Sequence, residues 1–202
     1  MNNVGYHNLL NLASASMLEG FYYRPRIDRE YLASHSEGLI CTSGCMSSEI
    51  PRLLVDGRVD AAEQAAEWYR SVFGRDRFFL EVQEHDLPDL TRINRMIFDL
   101  GQRLDIRLVA ANDVHYVRQE DADVHDTLLC IQTQNVKAEP NRLRMSSDSY
   151  FLRSSAQMEA LFPDWPEALD NTLLVAEMCD VNPEPEGYHL PDFSLPAGFD
   201  TA

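Results

Sequence analysis

The sequence predicts an α/β protein built on a parallel sheet or βα barrel, and three observations carry that expectation. Short apolar, strand-like runs alternate with stretches of helical periodicity along the chain. Each run ends at or near a side chain able to bind a metal: Cys45 at the first, His85 just after the second, and Asp113 with His115 at the third. In a βα barrel, functional groups gather at the C-terminal ends of the strands, so this is the placement an active site would show.

The first strand candidate covers residues 38–45, Gly-Leu-Ile-Cys-Thr-Ser-Gly-Cys. A helix over about 60–73 follows, with Ala62, Ala65, Ala66, Tyr69, Val72 and Phe73 on one face and Gly74 as its stop. The second strand candidate is residues 78–83, Phe-Phe-Leu-Glu-Val-Gln. Leu90, Ile93, Met96, Ile97, Leu100 and Leu104 then keep helical spacing up to the third run, residues 107–116. Read as a strand through Asp113, that run places Asp113 and His115 on the same face at its C-terminal end, because side chains alternate with period two. Two polar groups on the inward face of a strand cost several kcal/mol if unsatisfied, which favours a ligand role for the pair. Beyond it a helix is expected over 118–131, irregular chain around Glu139-Pro140-Asn141, and helices over 155–162 and 166–179, the last opening with Pro166. From Val181 onward the chain is rich in Pro and Gly and reads as a linker. At the other end the first dozen residues run into a helical pattern with no strand before it, as if the chain started inside an element.

Composition narrows the function. The chain has 202 residues, 45% apolar and 25% charged, enough for one sizeable soluble core or part of a larger one. A formal net charge of −16 repels nucleic acid at long range unless basic residues cluster, so the chain as a whole is no duplex-binding module. No run approaches transmembrane length, and no signal peptide opens the chain. Cys41, Cys45, Cys130 and Cys179 form no disulfide framework, so reduced thiols in the cytoplasm are expected, with no membrane partner. There is no Gly-x-Ser-x-Gly elbow and no phosphate-cradling Gly-rich loop, so nothing supports nucleophilic catalysis.

Thiolate, imidazole and carboxylate together suit zinc, or manganese and iron where carboxylates dominate. Taken alone, Cys45 reads as a small buried residue after Gly44, and His85 as a loop or core histidine. The other unusual segment is residues 20–28, where Tyr22 and Tyr23 stand beside Arg24 and Arg26 on a proline-stiffened stretch. Arg24 and Arg26 are candidate nucleic-acid contacts. The plainer expectation is an Arg-anchored loop whose tyrosines pack on the barrel, since one basic cluster works against a strongly acidic chain.

These segments together resemble the PHP (polymerase and histidinol phosphatase) domain of bacterial replicative DNA polymerases, the DNA polymerase III alpha family. The resemblance is carried in order by Glu19-Gly20-Phe21-Tyr22-Tyr23-Arg24-Pro25-Arg26-Ile27-Asp28, His35-Ser36-Glu37-Gly38-Leu39-Ile40 and Ser43-Gly44-Cys45. It continues through Asn112-Asp113-Val114-His115-Tyr116, His125-Asp126-Thr127-Leu128-Leu129-Cys130-Ile131-Gln132-Thr133 and Glu167-Ala168-Leu169-Asp170-Asn171-Thr172. It implies a distorted, TIM-like βα barrel with a metal cluster at its C-terminal strand ends. By position it implies Cys45, Asp113 and His115 as ligands, with His85 in a family-typical segment, for zinc or manganese. It further implies a metal-dependent 3′–5′ exonuclease within a DNA-directed DNA polymerase, whose own magnesium site lies outside this chain. DNA, deoxynucleotides and other replicase subunits are then the implied partners.

The departures set the expected boundaries. The family's opening His-x-His motif and first strands would precede Met1, and the polymerase aspartates would lie beyond Ala202, Pro191-Asp192-Phe193 not being that motif. Residues 1–182 are therefore expected to be a PHP domain incomplete at its N-terminus, closed by short helices, and 183–202 a linker toward the polymerase palm. No catalytic residue is assignable within the segment. Two alternatives stand beside this expectation: a non-catalytic scaffold with a vestigial metal site, and a stand-alone PHP phosphoesterase, against which the Tyr-Tyr-Arg-Pro-Arg segment and Cys45 count.

Overall fold

The computed structural model describes residues 1–184 except Asp86, together with Gly187 and Tyr188; the expected linker over 183–202 lies almost wholly outside the described residues. Helices α1 (Asn3–Leu18) and α2 (Arg29–Ser34) precede strand β1 (Cys41–Thr42). Helices α3 (Glu49–Val55) and α4 (Val59–Phe73) lead to β2 (Phe78–Gln83), and α5 (Pro88–Leu104) leads to β3 (Leu108–Ala111). A short 3₁₀ turn, Gln119–Asp121, then enters α6 (Ala122–Gln132), followed by α7 (Ser155–Leu161) and α8 (Pro166–Glu177). The three strands form one parallel sheet in chain order. Cys41 pairs with Phe78 and Leu80 with Leu108. Parallel pairing demands crossover connections, which the helices supply.

Strand β2 is the centre of the core. Phe78, Phe79, Leu80 and Val82 are completely buried, as expected of a strand covered on both faces. Each such side chain contributes about 1.5–3 kcal/mol through burial. Helix α5 lays Leu90, Ile93, Ile97 and Leu100 against the core at helical spacing, starts with Pro88 in its first turn, and ends at Asp105 in the left-handed region (φ 51°). Gly101 lets α5 approach β3: a methyl group there would lie 2.8 Å from Leu108 Cδ1 and 2.9 Å from the Ile106 carbonyl. On the far side α8 packs against β3, with Asn171 Nδ2 donating to the Leu108 carbonyl at 2.7 Å.

Several expected boundaries move, for local reasons. The first strand shrinks from eight expected residues to Cys41 and Thr42. Gly38 and Gly44, both at φ 71°, turn the chain on either side of it, and Ser43 Oγ accepts from the Glu81 amide at 2.8 Å. The third strand stops at Ala111 because Asp113 is left-handed (φ 49°). The helix expected over 118–131 begins as the 3₁₀ turn and becomes α-helical only from Ala122. Helices α2 and α3 add to the expected elements; each is under eight residues, too short for periodicity to show.

Helix α1 docks by backbone contact. The Asn2 side chain caps it, accepting from the Gly5 amide at 3.0 Å, and the Met1 amino group donates to the Gly38 carbonyl at 2.6 Å. A Cβ on Gly5 would sit 2.0 Å from that carbonyl oxygen. Gly5→Ala is therefore expected to destabilise the fold by about 1–3 kcal/mol, as overpacking does, read as a lower urea midpoint; an unchanged midpoint would show that α1 is not seated against Gly38.

Candidate metal centre

The strand ends present their chemistry along one edge, the C-terminal edge of the parallel sheet. After β2 the chain delivers His85, which is only 2% exposed although it lies in a loop. Its ring is held from three sides. Nδ1 lies 3.1 Å from Ser149 Oγ, Tyr150 stacks on the ring at 4.0 Å between centroids, and Nε2 faces Asp113 Oδ2 at 3.9 Å. Nε2 is fully buried and, among the described residues, has no hydrogen-bond partner. A buried imidazole nitrogen left unsatisfied costs about 1–3 kcal/mol, so it marks a place where a further group belongs.

After β3 the chain delivers Asp113 and His115, though not by strand alternation. The left-handed Asp113 folds the chain back, so that His115 Nδ1 donates to the Asp113 carbonyl at 2.7 Å while standing 3.9 Å from its carboxylate. Aspartate tolerates this conformation better than most residues. Because a carbonyl can only accept, that bond puts the proton on Nδ1 and leaves the lone pair of His115 on Nε2. Residues Asn112 and Arg153 brace the loop: Asn112 Nδ2 donates to the Phe151 carbonyl at 2.7 Å, and Arg153 Nη1 to Asn112 Oδ1 at 2.8 Å.

Two further side chains that sequence reasoning passed over pack against these rings. His125, on α6, sets its ring against that of His115 at 5.6 Å between centroids, and its buried Nδ1 also lacks a partner among the described residues. Tyr150 touches both His85 and His115. His125 lies within one of the segments that carry the resemblance, but nothing in its spacing places it against His115. Tyr150 and Ser149 sit in irregular chain, where no periodicity exists to read. Arg142 ties this loop to α6 through a two-pronged bond to Asp126 at 2.5 and 2.7 Å. The guanidinium holds the Asp126 carboxyl below the usual carboxylate range.

Cys45 follows β1 in a turn, half-buried, its Sγ 3.1 Å from Ser47 Oγ. It lines a small cleft with Glu81, Gln83 and Asn94, to which, among the described residues, no histidine contributes. Glu81 accepts from Thr42 Oγ1 and Gln83 Nε2, both at 2.7 Å; a lone carboxylate inside the apolar β2 run is the sequence signal for it. Cys41 lies within β1 itself, where burial pushes its thiol up to about 12. Arg24 and Arg26 lie in the connection between α1 and α2.

The donor chemistry around His85 fits a divalent metal in part. Ser149 can accept from Nδ1, which turns the lone pair of Nε2 toward Asp113. Burial lowers the pKa of His85 below that of an ordinary imidazole, with Arg153 adding and Asp113 and Glu84 opposing, so the ring is held in the neutral, ligating form. Ligands about 2.0–2.1 Å from a tetrahedral zinc lie roughly 3.4 Å apart, so a 3.9 Å separation is within roughly half an ångström of ligand spacing. Among the described residues, no three His, Cys, Asp or Glu side chains converge closely enough to hold an ion.

Residues 1–85 match the PHP domain family. Across the chain, DNA polymerase III subunit alpha of Treponema pallidum is 44% identical over 98% of this chain and 17% of its own length. The subunit of Borreliella burgdorferi is 45% identical over 99% of this chain and 17% of its own length. That of Thermus aquaticus is 43% identical over 96% of this chain and 16% of its own length. The chain thus spans about a sixth of the length of the curated relatives it matches.

Neutral burial of His85 carries a stability signature. Its pKa is lowered in the fold, so unfolding takes up a proton once the pH falls below the ordinary imidazole value of about 6.5. The stabilisation is complete above that value and is lost as the pH falls toward the folded pKa. With a chelator present, the wild-type chain should lose stability between about pH 6.5 and 5.5 more steeply than His85→Gln, by at most about 1.4 kcal/mol per pH unit in urea titrations. Equal slopes would show that His85 is not held neutral.

Proposed function

Because the chain belongs to the DNA polymerase III alpha family, we propose that it is the PHP segment of a replicative DNA polymerase, whose parent carries out DNA-directed DNA synthesis. Residues 1–182 would form part of its βα barrel and 183–202 the connection toward the palm. Within that parent, His85, Asp113 and His115 would hold zinc or manganese for 3′–5′ removal of mispaired nucleotides, with Cys45 joining from the β1 turn. A bound divalent cation would supply activation of water and neutralise the charge developing on the phosphodiester. Synthesis itself would use magnesium at a separate site, with DNA, deoxynucleotides and other replicase subunits as partners, in the cytoplasm.

The observation that carries this proposal is the orphaned Nε2 of His85, buried and aimed at the Asp113 carboxylate. What the protein supplies is orientation. Ser149 and Tyr150 fix the His85 ring, and the Asp113 carbonyl fixes the tautomer of His115. The exposed apolar side chains of α1, among them Leu9, Leu10 and Leu18, support a place within a larger barrel. No described helix is long and apolar enough to cross a membrane.

A non-catalytic scaffold role is favoured by one observation, the separation of Cys45 from the histidine cluster. A single variant separates the two. Introduced into the parent polymerase, Asp113→Asn should slow removal of a mispaired 3′ nucleotide about a hundredfold or more while leaving primer extension intact. Undiminished excision, in gels resolving single nucleotides, would leave the scaffold role.

A further inference from the structure

The connection between α1 and α2 does not pack on the sheet, contrary to the plainer expectation for its tyrosines. Tyr22 is 64% exposed and Tyr23 82% exposed, and Phe21 beside them is also exposed. The chain makes a tight reversal here, Tyr22 bridging to Arg24 around Tyr23, whose φ is 59°. A bulky aromatic in the left-handed region is an outlier, and such outliers persist where the surrounding structure holds them. The hold is visible at the base of the loop. Gly20 lies so close to Arg26 that a Cβ there would fall 1.8 Å from the Arg26 carbonyl oxygen, so the tip is clamped to the end of α1. The two tyrosine rings meet edge to face at 4.6 Å, and the Arg26 guanidinium lies 5.4 Å from the centre of the Tyr22 ring. Two of the neighbouring charges are already engaged: Asp28 caps α2 by accepting from the Tyr31 amide, and Arg29 pairs with Glu49. Among the described residues, neither Arg24 nor Arg26 has an ion-pair partner.

We propose that this clamped tip, Tyr22 to Arg26, binds single-stranded DNA, its tyrosine rings stacking on unpaired bases while Arg24 and Arg26 engage the flanking phosphates. Planar rings exposed beside guanidinium groups suit unstacked bases, which a duplex does not offer. The strongly acidic remainder of the chain selects the same ligand, because a flexible strand meets the tip alone whereas a rigid duplex brings further phosphates against a net charge of −16. An acidic peptide would use the arginines but leave the ring faces unused. The choice of DNA over RNA rests on the proposed function; the binding itself requires no metal.

Fluorescence anisotropy with the full chain, a chelator and a labelled oligothymidylate of about 15 nucleotides tests this. Saturable binding should weaken about tenfold in Tyr23→Ala, with its salt dependence unchanged, and be retained in Tyr23→Trp. Arg24→Gln with Arg26→Gln should weaken binding and reduce the slope of log K against log salt by about 1.4, near 0.7 for each phosphate no longer neutralised. Absence of saturable binding, equal affinity for a duplex, or variants that bind like the wild type would each overturn the proposal. Tighter binding of oligouridylate would overturn the assignment to DNA, and stronger competition by polyglutamate would point to an acidic protein instead. Because the chelator removes any metal, failure here leaves the proposed metal chemistry standing, and failed excision leaves this tip standing.

Discussion

Burial of strand β2 on both faces is the constraint from which the rest of the molecule follows. Four of its six side chains are sealed from solvent, so neither its register nor its ends can slide without exposing apolar surface. Its neighbours are then fixed by pairing, β1 through Cys41 and Phe78, β3 through Leu80 and Leu108. Parallel pairing points all three strands the same way, and the loops that follow them emerge on one edge. His85, Asp113 and His115 owe their neighbourhood to that geometry, although nearly thirty positions separate His85 from Asp113 in the chain.

What happens beyond the strand ends is decided by polar side chains. Ser149 and Tyr150 come from irregular chain, held down by the Arg142–Asp126 pair to α6, by the Asn112–Arg153 brace and by the His115 amide donating to the Tyr150 carbonyl at 2.8 Å. Arg142 is largely enclosed, and an enclosed guanidinium is tolerable only with its carboxylate in place. The cluster is therefore built in two layers, an apolar one that sets the edge and a polar one that orients rings along it. The exposed tip between α1 and α2 obeys the opposite logic: its rings face solvent, and a backbone clamp at Gly20 replaces packing.

Much of the first layer is legible in the sequence, because period and composition report burial. Leu90, Ile93, Ile97 and Leu100 mark α5, and the unbroken run from Phe78 marks a doubly covered strand. Asp113 and His115 pair in the sequence on the expectation of an extended strand, whereas a left-handed residue brings them together; two quite different backbones leave residues two apart close in space. The burial of His85 is not legible, since it depends on Ser149 and Tyr150, more than sixty positions away. Nor is the exposure of Tyr22 and Tyr23, because aromatic residues usually signal core and only the reversal at Tyr23 turns these outward.

The central claim is that the unsatisfied Nε2 of His85 is a metal donor. Long-range proton–nitrogen correlation spectra of the histidine rings, recorded while zinc is added to the chelator-treated chain, read that atom directly. The Nε2 resonance of His85 should move to a metal-bound position with Nδ1 remaining protonated, and His115 should respond at Nε2 in the same titration. A His85 ring that stays unchanged while zinc binds elsewhere, or a chain that takes up no zinc at all, would contradict it.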